Sequence, residues 1–160
     1  MPRGNRALPT ACVEHLRSAD VILHAGDFMA TAVLHELEAL GPPVHAVYGN
    51  VDEQALRMLL PETRVVEAAG VRIGMVHNSG PAKGRLARLR ARFPDADAVV
   101  FGHSHIPVHE EQAGFQIFNP GSPTERRSAP HHTMGIATIE AGRPRFALVV
   151  SELGAQVVAL

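Results

Sequence analysis

Four short apolar runs in this chain each end in residue types that bind metals, and this repeated pattern constrains the fold more than any other feature. The runs continue as follows: Val21–Ala25 into Gly26-Asp27, Val44–Tyr48 into Gly49-Asn50, Arg72–Val76 into His77, and Ala98–Phe101 into Gly102-His103-Ser104-His105. Runs of this length predict buried strands of an α/β sheet. The carboxyl ends of such strands lie along one edge, where ligands bind. We therefore expect the following side chains to meet in space: Asp27, Asn50, His77, His103 and His105.

The chemistry of these side chains favours a metal site. Carboxylate, amide and imidazole groups without sulfur suit Mn²⁺, Fe, Ni²⁺ or Zn²⁺. His103 and His105 stand two positions apart after a buried strand, so their rings can point the same way and hold a metal. Taken singly, Asp27 could be a helix N-cap, Asn50 part of a turn, and His77 a structural histidine. Their joint occurrence at strand ends favours metal binding over these alternatives.

Composition excludes several classes of protein. At 160 residues the chain is predicted to form a single domain over residues 1–160. Its formal net charge of −1 gives no general attraction to nucleic acid or acidic membranes, and no apolar stretch is long enough to span a bilayer. The single cysteine, Cys12, excludes an internal disulfide and suits a reducing, cytoplasmic compartment.

Apolar periodicity predicts strand–helix units first and antiparallel strands later. Helices are predicted over about residues 9–18, 33–40, 53–60 and 81–93, and strands over residues 21–25, 44–48, 63–68, 71–76, 98–102, 107–112, 115–118, 133–140 and 144–151. This order favours two packed sheets with helices outside. A strand should precede the first helix in such an order, yet the chain opens in a loop.

The strand-end residues resemble a known family. Gly26-Asp27, Gly49-Asn50-x-Asp52, His77 and Gly102-His103-x-His105, in this order and spacing, are similar to the calcineurin-like metallophosphoesterase superfamily. The chain length and Asn119-Pro120-Gly121-Ser122 resemble its small prokaryotic phosphodiesterase branch. The resemblance implies a four-layer α/β/β/α sandwich. It also implies a first strand that ends in an Asp-x-His block, and this sequence lacks both.

The missing block leaves two interpretations of the sequence. We expect that the chain start was assigned too late, at an internal methionine, so that the fold as given lacks its first strand. A natural truncation is the alternative. It would leave unpaired backbone groups inside a sheet, each of which costs on the order of 1–3 kcal/mol.

The resemblance implies a role for each strand-end residue. Asp27 would bridge two metal ions, Asn50, His77 and His103 would complete the ligands of one ion, and His105 would bind the other. The implied catalytic residues are Asp27, Asn50, His77 and His103. The implied cofactor is a pair of divalent ions, with manganese as the first choice and Fe, Ni, Zn and Mg as alternatives.

The implied function is that of a metal-dependent phosphoesterase. It would hydrolyse phosphodiester bonds in a phosphate-ester substrate through a hydroxide bound between the two ions. Because the Asp-x-His block is missing, we expect impaired activity in the chain as given. Val51 stands where the resemblance implies a histidine that protonates the leaving group in larger family members. Valine cannot do so, which favours substrates with good leaving groups or a proton supplied from elsewhere.

Several residues after the last histidine are candidates for substrate contacts. Asn119, Gly121 and Ser122 could close the site with backbone N–H groups near the phosphate, or they could form a structural turn. Arg126 and Arg127 could steer an anionic substrate.

A function without catalysis is the alternative. The same scaffold could bind proteins, as the retromer subunit that resembles this branch does, and the missing block and Val51 favour this interpretation. A homo-oligomer is also open, because a missing inner strand would leave strand edges that associate.

Overall fold

The computed structural model describes residues 7–150 and the backbone of residues 157 and 158. Helices in this part of the chain are α1 (Thr10–Arg17), α2 (Thr31–Glu38), α3 (Gln54–Leu59) and α4 (Arg85–Arg92). Strands are β1 (Ile22–His24), β2 (Val44–Ala46), β3 (Thr63–Ala68), β4 (Val71–Val76), β5 (Ala98–Phe101), β6 (Val108–Gln112), β7 (Phe115–Asn119), β8 (Thr133–Glu140), β9 (Arg143–Val150) and β10 (Val157–Val158). No helix among the described residues has the length and apolar character that a membrane span requires.

The strands form three hydrogen-bonded groups. The largest sheet has the order β3-β4-β5-β7-β6, in which β4, β5 and β7 are parallel and the outer strands pair antiparallel. β1 and β2 form a parallel pair joined through α2, and β10, β9 and β8 form an antiparallel sheet. Parallel pairing through helices therefore comes first in the chain and hairpins come later, as predicted.

The alternating side chains of β5 show how the two layers of strands stack. Ala98 and Val100 belong to a buried cluster that includes Leu23 of β1 and Phe146 of β9, so one face of the large sheet packs on these strands. The other β5 side chains cluster with Leu89 of α4 on the opposite face. A strand that is apolar on both faces is typical of the middle of such a sandwich.

The outer helices complete the arrangement on the other side. Leu16 of α1 and Leu34 and Leu37 of α2 pack against Ala46 of β2, so these helices cover the face of the β1–β2 pair that points away from the large sheet. The layers are therefore helices, strands, strands and helix. The predicted α/β/β/α arrangement is confirmed, whereas the expected strand before Met1 lies outside the described residues.

Element boundaries differ from the predictions at a few places. α4 begins at Arg85 and not near residue 81, because Gly84 has a φ of 70° in the left-handed region, which a helix does not continue through. β2 ends at Ala46, two residues before the predicted end. β10 was not predicted, and residue 151 of the last predicted strand lies outside the described residues.

His24 holds the turn that follows β1. Its ring stacks on Phe28 with 3.6 Å between centroids, and its Nδ1 accepts a hydrogen bond from the Gly26 N–H at 3.2 Å. Enclosure by the surrounding protein lowers the pKa of His24 to about 3, from an ordinary 6.5. The imidazole therefore stays neutral in the fold, as the acceptor role of Nδ1 requires.

Acid should destabilise the fold through His24. Between its unfolded value of 6.5 and its folded value of about 3, only the unfolded chain protonates this ring. The free energy of unfolding should therefore fall as the pH decreases through this window, by up to about 1.4 kcal/mol per pH unit. Chemical denaturation at a series of pH values measures the slope. His24→Gln, which cannot titrate, should give a shallower slope, and an equal slope would contradict the assignment.

A methyl group added at Gly74 of β4 should destabilise the fold, because the Phe93 ring packs directly on this glycine. A Cβ at position 74 would lie 2.7 Å from Cδ1 of the Phe93 ring, closer than real Cβ contacts allow. We expect Gly74→Ala to lower the free energy of unfolding by about 1–3 kcal/mol, the usual cost of overpacking. Urea denaturation measures this change.

The control for this prediction is a double-mutant cycle. Phe93→Leu removes the ring that the added methyl group would touch, so the double variant should be more stable than the sum of the two single effects predicts. Strict additivity would mean that the two positions do not contact each other.

Candidate metal centre

Four of the predicted ligands follow the carboxyl ends of four strands. Asp27 comes after β1, Asn50 after β2, His77 directly after β4, and His103 after β5. The first two strands belong to one layer of the sandwich and the last two to the other. The site therefore lies where the ends of both layers meet.

The donor atoms of these four side chains converge. His77 Nε2 lies 2.9 Å from Asn50 Oδ1 and 3.3 Å from Asp27 Oδ1. His103 Nδ1 lies 2.8 Å from the same Asn50 oxygen and 3.2 Å from His77 Nε2. Asp27 and His77 are buried, and His103 is partly buried.

These separations fit ligands around one ion. Atoms about 2.1 Å from a single metal lie roughly 3.0 to 3.4 Å apart in octahedral or tetrahedral geometry. The Nδ1–H of His77 donates to the Ala25 carbonyl at 2.7 Å, so its Nε2 presents a lone pair to the oxygens of Asp27 and Asn50. Lone pairs facing one another repel, and a cation between them removes that cost. The side chains present therefore fit a divalent ion.

The surroundings of His103 and His105 lower the pKa of both rings and so favour the neutral imidazole. Burial, the neighbouring His77 ring and the Arg127 guanidinium lower the pKa of His103, although Asp27 opposes the shift. Burial and Arg127 also lower the pKa of His105. Only a neutral imidazole binds a metal, so these shifts preserve the ligands as the pH falls.

Strained backbone is concentrated around the site. The φ angles of Asp27, Met29, His103 and His105 are 66°, 74°, 67° and 59°, in the left-handed region that residues other than glycine rarely occupy. Strain of this kind costs on the order of 1–3 kcal/mol per residue and is common at functional sites. The turns after β1 and β5 therefore hold their side chains in a costly arrangement.

Asp52 is an important residue that the sequence prediction missed. Its buried carboxylate accepts hydrogen bonds from the backbone N–H groups of Gly49 at 2.6 Å, Met29 at 2.7 Å and Asp27 at 3.2 Å. It thus fixes the turn that carries Asp27 against the turn that carries Asn50. The Gly49-Asn50-x-Asp52 pattern contains this residue, but spacing alone does not separate a ligand from the carboxylate that positions it.

The structure excludes the N-cap role for Asp27 but confirms the turn position for Asn50. Asp27 is not the N-cap of α2, because that position is Ala30, and Asp27 Oδ1 instead accepts a hydrogen bond from the Val51 N–H at 3.2 Å. Asn50 does lie in a turn before α3, and its amide oxygen contacts Nε2 of His77 and Nδ1 of His103. A turn residue and a candidate ligand are here the same residue.

His105 stands apart from the other predicted ligands. Among the described residues, the group whose ligand atoms lie within 4.8 Å of one another contains Asp27, His77 and His103. The Nδ1–H of His105 donates to the Glu125 carbonyl at 2.6 Å, which leaves Nε2 as the metal-binding nitrogen of the ring. Its role at a second ion stays a prediction.

The three predicted substrate contacts have partners within the fold. Asn119 is fully buried, its Nδ2 donates to the Gly102 carbonyl at 2.9 Å, and its Oδ1 accepts from the Gly121 N–H at 2.9 Å. Ser122 Oγ accepts from the Glu125 N–H at 3.1 Å. These bonds describe a structural turn that supports the His103 loop, and direct contact with a substrate stays a prediction.

Comparison with known proteins places the chain among phosphoesterases. The sequence model of the calcineurin-like phosphoesterase superfamily domain matches residues 4–142. A "Probable metallophosphoesterase" of Methanothermobacter thermautotrophicus is 35% identical over 129 residues, which are 79% of this chain and 74% of that protein. "Phosphodiesterase MJ0936" of Methanocaldococcus jannaschii is 24% identical over 115 residues, 65% of this chain and 68% of that protein.

A solved structure supports the fold. Vps29 from Entamoeba histolytica, in complex with Zn²⁺, superposes with a TM-score of 0.79 at 24% identity and covers 99% of this chain and 93% of its own. At this identity the likeness is one of fold alone. The superfamily match over most of the chain and the relative with 35% identity show family membership as well as fold. The chain belongs to the calcineurin-like phosphoesterase superfamily.

Proposed function

We propose that the protein is a metal-dependent phosphoesterase that hydrolyses phosphodiesters. The observation that carries this proposal is the convergence of Asp27, Asn50, His77 and His103 with donor separations of 2.8 to 3.3 Å. Membership of a phosphoesterase superfamily supports hydrolysis. The name of the Methanocaldococcus relative supports diesters as the substrate class.

Each residue of the cluster has a task in this proposal. Asp27 supplies the negative charge that offsets a divalent ion, and Asn50 supplies a neutral oxygen. His77 is oriented by the Ala25 carbonyl, so its Nε2 is held ready to bind. A divalent ion bound by these groups would act as a Lewis acid toward phosphoryl oxygens and would lower the pKa of water.

The exposed side chain of Val51 favours substrates with a good leaving group over the alternative, a proton supplied from elsewhere. Val51 Cβ carries only methyl groups, which cannot donate a proton, and the side chain is 39% exposed beside Asp27. A leaving group of low pKa departs without protonation. Aryl esters and other acidic leaving groups are therefore the substrates that we expect to react fastest.

The proposal includes a second metal ion beside the first. Asp27 would be shared between two ions, His105 would bind the second, and manganese is the first choice for both. The described residues offer this second ion fewer ligands than the first, so we expect slow turnover. We further propose that the substrate contacts Asn119, Gly121 and Ser122 and that the protein forms a homo-oligomer. We also propose a cytoplasmic setting, which the single cysteine Cys12 supports.

A protein-binding scaffold is the second candidate function. The observation that favours it is a pair of exposed apolar side chains at the end of α3, where Met58 is 82% and Leu59 61% exposed. Methionine is enriched in protein interfaces. A stoichiometric partner that is recovered by the wild-type protein and lost with Met58→Asp and Leu59→Asp would support this function.

Removal of a ligand should weaken both metal binding and hydrolysis. We expect Asp27→Asn and His103→Ala to weaken Mn²⁺ binding by about tenfold or more and to lower the hydrolysis of bis(p-nitrophenyl) phosphate by about 100-fold or more. Calorimetry and a colorimetric assay measure these two effects.

The matched control for this prediction is His35→Ala, because His35 is an exposed histidine on α2. This variant should retain wild-type metal binding and turnover. Full activity in both ligand variants would overturn the catalytic proposal.

Loss of the Asp52 carboxylate should weaken metal binding although Asp52 is not a ligand. Asp52→Asn replaces one carboxylate oxygen with an NH₂ group. If that group takes the place of Oδ2, its N–H bonds point at the backbone N–H groups of Asp27 and Gly49, which then lose their acceptor. We expect a 10- to 100-fold loss of Mn²⁺ affinity, about the effect of losing a residue that orients metal ligands.

The control for Asp52 is Glu53→Gln at the adjacent position. Glu53 is an exposed carboxylate that binds the Thr31 N–H at 2.7 Å, so this change removes the same charge without touching the turns of the site. Metal affinity should stay within about twofold of wild type. Equal losses in both variants would point to net charge, and not to positioning, as the cause.

A further inference from the structure

An open surface cavity of about 520 Å³ lies beside the loop that carries His103 and His105. It is lined by Thr124, Glu125, Arg126, Arg127 and His132. None of the clustered donor residues lines it, so it can hold a part of the substrate other than the group that reacts.

Two hydrogen bonds attach the cavity lining to the metal-binding loop. Arg127 Nη1 donates to the His103 carbonyl at 2.8 Å, and the Glu125 carbonyl accepts from His105 Nδ1 at 2.6 Å. Both histidines of the Gly102-His103-Ser104-His105 segment are thus in contact with residues of the cavity wall. The cavity wall is therefore joined to the loop that carries two of the predicted ligands.

The two arginines of the cavity have different tasks. Arg126 Nη1 donates to the carbonyls of Ala129 at 2.9 Å and Pro130 at 3.3 Å, so Arg126 holds the loop together. Arg127 makes one bond to a neutral carbonyl, and no carboxylate of the described residues forms an ion pair with it. Its side chain is exposed, and its backbone φ of 49° lies in the left-handed region. Arg127 thus presents a positive charge that the fold does not neutralise.

The charge of the lining selects the ligand. The lining residues include two arginines and one acidic residue, Glu125, so the charge around the cavity favours an anion. Guanidinium groups bind phosphate through forked, charge-assisted hydrogen bonds. Thr124 adds a hydroxyl group and His132 an imidazole to the same wall.

We infer that this cavity is a subsite for a second phosphate group, carried by the non-leaving arm of the phosphodiester, and that Arg127 is the residue that binds it. The inference rests on the proposed function, because it places the reacting phosphate at the donor cluster. It narrows the substrate class to diesters that bear a further phosphate, such as nucleotides phosphorylated at a second position.

The test compares two ligands that differ by one phosphate. Thymidine 5′-monophosphate and thymidine 3′,5′-bisphosphate are titrated into the Mn²⁺-loaded protein by calorimetry. We expect the wild-type protein to bind the bisphosphate about tenfold more tightly or better, the factor that a charge-assisted hydrogen bond provides. In Arg127→Ala the ratio of the two affinities should fall toward one. Arg127→Lys, which keeps the charge but not the forked donors, should give an intermediate ratio.

A matched control separates local binding from net charge. Arg145→Ala removes one positive charge at an exposed ion pair with Glu140 on the β8–β9 hairpin, so it should leave the ratio at its wild-type value. Equal affinities of the wild-type protein for the two ligands would overturn the inference. An unchanged ratio in a folded Arg127→Ala protein would overturn it as well.

The design also separates this inference from the proposed hydrolysis. The hydrolysis assay uses the p-nitrophenyl esters of the same two nucleotides, whereas calorimetry needs no turnover. A wild-type protein that prefers the bisphosphate but hydrolyses neither ester would refute hydrolysis and leave the subsite standing. Hydrolysis of both esters without any preference would refute the subsite and leave the proposed function standing.

Discussion

The three hydrogen bonds that the Asp52 carboxylate accepts are the interaction on which the rest of the site depends. They connect the turn after β1 with the turn after β2, and those turns carry Asp27 and Asn50. A buried carboxylate is stable only when its oxygens are hydrogen-bonded, and three backbone N–H groups satisfy this one. The positions of both oxygen donors are thereby set by backbone geometry. The two imidazoles follow strands of the other layer, and the Ala25 carbonyl in the turn after β1 orients that of His77.

Much of the fold and the candidate site could be predicted from the sequence because strand ends are visible in the pattern of apolar runs. The runs before Asp27, His77 and His103 have the length of buried strands, and parallel strands of one sheet end at the same edge. The strand before Asp27 lies in a different layer from the other two, and the ends of both layers meet at the site. The start of α4 could not be predicted in the same way, since Gly84 adopts a left-handed conformation that composition does not specify. His105 lies apart from the other donors, and its Nδ1 donates to the Glu125 carbonyl, a contact that no local pattern encodes.

Contacts between long polar side chains and the backbone of neighbouring loops are a second feature that the sequence pattern does not show. Arg88 donates to the Ser79 carbonyl at 3.0 Å through Nε, and Arg90 donates to that of Ala96 at 3.2 Å, so basic side chains of α4 serve as ties for neighbouring loops. Asn119 similarly supports the loop of His103 from a strand that follows it in the chain. A long polar side chain reaches many backbone groups, and only the folded chain shows which one it contacts. Patterns of spacing therefore locate the ligands of a site better than the residues that support them.

The two layers of strands each contribute half of the donor cluster, and this division has a mechanical consequence. An ion held by Asp27 and Asn50 on one side and by His77 and His103 on the other would tie the two layers together at one end. With Cys12 as its single cysteine, the chain cannot form an internal disulfide bond. A bound ion would act as a reversible cross-link between the layers. Closing a long loop in this manner removes conformational entropy from the unfolded chain. Metal content would then set how readily the sandwich opens between its layers, independently of any reaction at the site.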